Sequence, residues 1–234
     1  MKRESRNALI ALAVFILSIV LISVLDSLIV VYYAGMTGSD LEGASIATTK
    51  YLLVTNELIL ASLSILFFTK VFKRKLVELG LTKANLSRNT ALGLIIGVGG
   101  WFASVIVAFL LWSIVPYEVP EWFTKMLTAT SSTDLVHLLI LTWALVGPCE
   151  ELFFRGFIQE TFTAWKGPAL GVIAGSILFG LAHFDPVLWF RTIPTASLGF
   201  IYGVVYAKRK SLLPVMVSHS LNDTIGFVLA FLVM

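Results

Sequence analysis

Charge is what this sequence has least of. Only 13% of its 234 residues are charged, while 58% are hydrophobic and the mean hydropathy is +0.92. A soluble domain carries roughly 25% charged residues and less than half apolar ones. This chain therefore lacks the polar surface to cover a water-soluble globule of its length. Cysteine is nearly absent as well. The single Cys149 excludes an intrachain disulfide and leaves the redox compartment open. Its thiolate, beside Glu150, is disfavoured as a nucleophile, so Cys149 reads as a small packing residue. There is no internal repeat, no low-complexity segment and no His-Glu-x-x-His motif. Without a repeat, a transporter built from two related halves is disfavoured. The pI near 9.0 does not call for nucleic acid, because the basic residues sit in short loops between apolar runs.

Those runs are what the sequence has in abundance. Ala8–Leu25 and Asn89–Tyr117 hold no charged residue. Apolar runs of about 18 or more residues read as membrane-spanning helices. Spans are expected at about 8–33, 50–72, 90–115, 135–165, 168–184, 193–207 and 212–233. The expected fold class is an all-α membrane protein, a bundle of seven helices, or eight if the first or last segment splits. It forms a single polytopic domain over 1–234 with a catalytic core at about 135–230. The first run follows Lys2, Arg3 and Arg6 as a signal peptide would, but it is longer than such a segment and is read as a retained helix. The fourth span exceeds the bilayer thickness, so tilt, projection into water or a break near Gly147-Pro148 is expected. Gly199 and Gly203 form a small-xxx-small pair, read as ordinary helix packing.

Charge bias sets the expected orientation. With the N-terminus in the cytoplasm, thirteen of the 17 basic residues fall on the cytoplasmic side: Lys2 to Arg6, six between Lys70 and Arg88, Lys166, and Lys208 to Lys210. Only Lys50, Lys125 and Arg191 fall outside, and Arg155 lies within a span. This alternation predicts a multi-pass integral membrane protein with a cytoplasmic N-terminus, in the cell membrane if the source is prokaryotic.

Ionisable groups inside spans cost roughly 2.5–3.5 kcal/mol each on insertion scales and so need a reason. The fourth span holds Glu150, Glu151, Arg155 and Glu160; His183 ends the fifth; His219, Asn222 and Asp223 lie in the seventh. Helical spacing pairs Glu151 with Arg155 at i,i+4 and turns Glu150 away by about 100°. One carboxylate is thereby neutralised while its neighbour stays available for a proton. His219 and Asp223 are again i,i+4, with Asn222 at i+3 on the same side. Glu160 is expected at the cytoplasmic interface, and His137 at the outer edge. Depth is uneven in this reading. At ~1.5 Å per residue, Glu150 and His183 both lie about 24 Å from the cytoplasmic ends of their spans, and His219 only about 13 Å from Lys210. Tilt or a re-entrant start near Pro214 is needed to close the gap.

In order and spacing, Glu150-Glu151-x-x-x-Arg155, Phe179-x-x-x-His183 and His219-x-x-x-Asp223 resemble the signature motifs of the CAAX-protease and bacteriocin-processing family of intramembrane endopeptidases, with Gly199-Phe200-Ile201-Tyr202-Gly203 similar in character. The resemblance covers roughly residues 135–230. It implies a glutamate-dependent protease whose active site lies in a cavity between the fourth, fifth and seventh helices. Glu150 and His183 would activate a water, His219 with residue 223 would stabilise the oxyanion, and Glu151 and Arg155 would hold the site together. Asp223 departs from the family's usual Asn. Either Asp223 is protonated there, or the neighbouring Asn222 supplies the donor, or position 223 has another task. The implied partners are a peptide or lipidated protein substrate, prenylated CaaX-type among the possibilities, and the lipid bilayer. No cofactor is required. Zinc held by Glu150, His183, His219 and Asp223 is the metal alternative, and a non-enzymatic immunity or scaffold protein and a proton-coupled transporter are the functional ones.

Overall fold

The computed structural model describes residues 2–233, the side chain of Ile46 apart. Eight helices follow one another: α1 (Arg3–Thr37), α2 (Leu41–Leu66, prolonged by a π-helical turn Phe67–Val71), α3 (Leu86–Ile114), α4 (Glu121–Leu127), α5 (Ser132–Lys166), α6 (Pro168–Ala182), α7 (Thr192–Arg209) and α8 (Leu213–Leu232). Short 3-10 turns lie at Leu76–Leu79 and Trp189–Arg191. Among the described residues there is no strand. This follows from the solvent: inside a bilayer each backbone N–H and C=O must be satisfied within its own segment, which a helix does.

Five helices, α1, α2, α3, α5 and α8, are long and apolar enough to cross a membrane. The protein is an integral membrane protein. Its outer faces agree, with Ile16, Val20 and Val24 of α1 and Ile95, Phe102 and Phe109 of α3 all exposed. So much exposed apolar surface suits lipid and not water. α6 is also apolar but has 15 residues, about 22 Å against a hydrocarbon core of about 30 Å. It packs along α7 as a short hairpin, and α8 packs along α3. The helix beyond the seven expected ones is α4, seven residues long. α1 and α8 are each unbroken, so neither end segment splits.

α5 corrects the expectation of a break at Gly147-Pro148. It runs 35 residues without interruption. The Pro148 ring, which removes a donor and crowds the preceding turn, is accommodated by a wider π-helical turn at Thr142–Val146; a second occupies Leu152–Gln159. Such single-turn widenings absorb an extra residue while the helix axis continues. Gly147 is there for contact: a Cβ at this position would lie 2.2 Å from Ser220 Oγ of α8. The second widened stretch is wholly buried. Its Phe153, Phe154 and Phe157 form the aromatic centre of the bundle with Phe179, Tyr202 and Tyr206, and Phe154 meets Phe179 edge-on at 4.9 Å.

The depth mismatch resolves at the α7–α8 turn. Ser211 and Leu212 are buried, and Leu212 N–H donates to Gly80 C=O at 2.9 Å. Tyr206 Oη donates to Leu79 C=O at 3.2 Å. The segment following α2 thus covers the turn, and α8 begins inside the bundle. Six residues then bring His219 level with Glu151. Glu160 binds this same end together, accepting from Arg74 at 3.2 Å and Lys210 at 3.0 Å.

Candidate active site

The site is built on one polar stripe of α5. Glu151, Arg155 and Gln159 recur at i, i+4 and i+8, so they line one face, and all three are buried. Arg155 Nη1 donates to Glu151 Oε1 at 2.7 Å, and Nη2 to Gly199 C=O at 3.3 Å. Gln159 Nε2 donates to Gly203 C=O at 2.8 Å. The small residues of α7 therefore do more than pack: their carbonyls anchor the stripe, and a Cβ at Gly203 would crowd Gln159 Oε1 at 3.0 Å. Phe179 and Tyr202 sandwich the guanidinium, with their ring centroids 4.3 and 5.4 Å from it.

From this anchor the reactive groups are aimed. His219 Nδ1 lies 2.8 Å from the same Glu151 oxygen that accepts from Arg155. A carboxylate oxygen only accepts, so Nδ1 carries the proton and Nε2 faces the other way. Nε2 is 3.5 Å from Asp223 Oδ2 and 3.8 Å from Glu150 Oε2. Phe179 and Tyr202 bracket the imidazole at 5.8 and 5.9 Å. A buried carboxylate thus fixes the ring's tautomer and direction, the arrangement used wherever a histidine must present one nitrogen to a reacting group. Glu150 sits on the neighbouring face of α5, as its 100° rotation requires, and its Oε2 is buried without a hydrogen-bond partner.

His183 closes α6. Its Nδ1 donates to Phe179 C=O at 2.9 Å, leaving Nε2 as an acceptor. Among the described residues, no hydrogen bond or ion pair joins it to Glu150. Asn222 Nδ2 is buried with no acceptor. Of the candidate residues, Glu150, Glu151, Arg155, His219 and Asp223 form one connected cluster, while His183 and Asn222 stand apart from it in hydrogen bonding. Cys149 is buried and free. His137 is exposed. Among the described residues, no three His, Cys, Asp or Glu side chains converge in a geometry that would hold a metal ion.

Two residues enter that the sequence reading did not single out. Glu57, in the middle of α2, is only 3% exposed, has an unpartnered Oε2, and lies within electrostatic reach of Glu150 and Asp223. A signal was present: Glu57 is the only ionisable side chain besides Tyr51 between Lys50 and Lys70, within an apolar run. Arg191 was placed among the outer loop charges. The structure keeps it in the turn between α6 and α7, but partly buried and within electrostatic reach of Glu150, Asp223 and Asp185. Nothing local in the sequence distinguishes it from a loop cation.

The constellation can support acid–base chemistry: an unpartnered carboxylate lies beside a histidine held in place by a second carboxylate. A family model described as type II CAAX prenyl endopeptidase Rce1-like matches residues 132–225. No curated protein and no solved structure matches the chain.

Proposed function

We propose, from the match of residues 132–225 to the type II CAAX prenyl endopeptidase Rce1-like family model, that the protein is an intramembrane endopeptidase that hydrolyses a peptide bond near the C-terminus of a membrane-associated, CaaX-type substrate. The observation that carries this reading is the fixed His219, whose Nε2 is held toward Glu150 and Asp223 by the buried Glu151–Arg155 pair. In this reading the reacting groups come from α5, α6 and α8, with α2 contributing Glu57.

In this mechanism Glu150 is the base. It takes a proton from a water as that water's oxygen attacks the scissile carbonyl carbon. His183, with Nε2 free to accept, orients the same water. The carbonyl oxygen becomes an oxyanion, which His219 in its protonated form stabilises from Nε2. A donor at this point is worth most where water is scarce. Asn222, whose amide has no other partner, supplies a second donor; Asp223 does so only when protonated. The C–N bond then breaks, and the departing amine takes the proton from Glu150. Each proton is accounted for, and the residues present suffice without a cofactor. The cytoplasmic placement of the N-terminus and of the Glu160 end of the bundle follows from the basic residues gathered there.

The test is cleavage of a panel of lipidated C-terminal peptides by the purified protein and by Glu150→Ala. Cleavage by the wild type alone supports the reading. Equal cleavage by both removes Glu150 from the chemistry. No cleavage of any peptide favours the non-enzymatic alternative.

A further inference from the structure

Arg191 ends the 3-10 turn Trp189–Arg191 and leads directly into α7. Among the described residues its side chain makes no hydrogen bond and no ion pair, although it lies beside the catalytic carboxylates. The described contact of the guanidinium is with the Phe123 ring of α4, 4.7 Å from its centroid. Its setting is rigid. Asp185 Oδ1 accepts from the backbone N–H groups of Val187 and Leu188 at 2.7 and 3.0 Å, fixing the loop. Phe190 is buried and stacks flat on Tyr117 at 4.2 Å. The loop holds this cation in place with its donor fork unused, and among the described residues the neighbouring Glu150, Asp223 and Asp185 make no hydrogen bond to it, so the fork is free for a hydrogen-bonding anion.

One further feature marks the same place. Thr192 Oγ1, the next residue, is buried without a partner. The guanidinium fork, planar and bidentate, and the hydroxyl together make a donor site for a carboxylate. A CaaX-type substrate has such a group, because its scissile bond lies a few residues from the free end of the chain.

We propose that Arg191, with Thr192, binds the C-terminal α-carboxylate of the substrate and so sets the enzyme's preference for bonds close to a chain end. The proposal rests on the endopeptidase reading. The carboxylate is held on the α6–α7 turn while the scissile carbonyl lies toward Glu150 and His219. The same residues bind the released tripeptide after cleavage.

The experiment uses the full chain in lipid nanodiscs. Two probes are compared, an aliphatic tripeptide with a free C-terminal carboxylate and the same tripeptide as its C-terminal amide. Affinity is read directly by calorimetry. The wild type is expected to bind the acid about 10-fold more tightly than the amide, the difference made by a charge-assisted bidentate pair. Arg191→Gln should weaken acid binding to the level of the amide and leave amide binding unchanged. Arg191→Lys, which keeps the charge without the fork, should retain part of the preference and serves as the deciding variant if Arg191→Gln does not fold. Equal affinity of the wild type for acid and amide, or no binding of either, overturns the proposal. So does an Arg191→Gln protein that loses both affinities equally, which would make Arg191 a counter-charge to Glu150 and Asp223. Because binding is measured without turnover, a protein that distinguishes acid from amide yet cleaves nothing refutes the protease reading and leaves the carboxylate site standing.

Discussion

Arg155→Ala is the most searching perturbation of this structure. The side chain is fully buried, as is Glu151, which it holds at 2.7 Å. Truncation removes that bond, the 3.3 Å bond to Gly199 C=O and the stacking between Phe179 and Tyr202. Glu151 is left with His219 as its one partner, out of reach of water. Breaking a buried ion pair by deleting one member costs about 3–5 kcal/mol. The lost ring contacts add roughly 0.5–2 kcal/mol. At about 2–4 °C per kcal/mol for a chain of this size, melting should fall by about 7–28 °C. The double variant Arg155→Ala with Glu151→Ala removes both charges, and a pair deleted together is far less costly than one partner stranded. Part of the lost stability should therefore return, with a coupling between the two sites of about 2–3 kcal/mol. Thermal unfolding of the four proteins in one detergent, followed by tryptophan fluorescence, gives the cycle. Strictly additive losses would refute the reasoning. So would an Arg155→Ala protein as stable as wild type but inactive, which would mean that Arg155 contacts substrate instead of supporting Glu151.

Three further outcomes follow from the site. Glu150→Gln keeps the shape of the side chain but cannot take a proton, so turnover of a lipidated peptide should fall about 10²-fold or more while melting is unchanged; retained turnover would remove Glu150 from the role of base. Asp223→Asn provides a donor of nearly the same size, so activity should persist or rise and be indifferent to chelator. A dead variant together with a chelator-sensitive wild type would instead assign Glu150, His183, His219 and Asp223 to a metal. Glu57→Gln relieves crowding among three neighbouring carboxylates, so its melting temperature should equal or exceed that of wild type; a drop of several degrees would mean that the Glu57 carboxylate makes a bond the fold depends on.

Much of this protein was legible in its sequence because the bilayer leaves few alternatives. Long apolar runs must become helices, and all seven expected segments are helical. Helical period alone paired Glu151 with Arg155 and His219 with Asp223, because residues four apart share a face whatever surrounds them. The three motifs, with their order and spacing, were likewise readable as strings. Tertiary structure decided what depends on neighbours distant in the chain. That His219 bonds Glu151, 68 residues away, follows from α8 starting deep within the bundle, under a loop whose role no local pattern reveals. Glu57 joins the site only because α2 packs against the middle of α5. Arg191 comes near the cluster because the turn between α6 and α7 brings it within reach of Glu150 on α5 and Asp223 on α8. α5 bends around Pro148 without breaking, since two widened turns and the close approach of Ser220 at Gly147 hold it in place. Periodicity is a property of one helix and is written in its own residues; depth, register and which helix faces which are set by packing between helices, and only the folded bundle contains them.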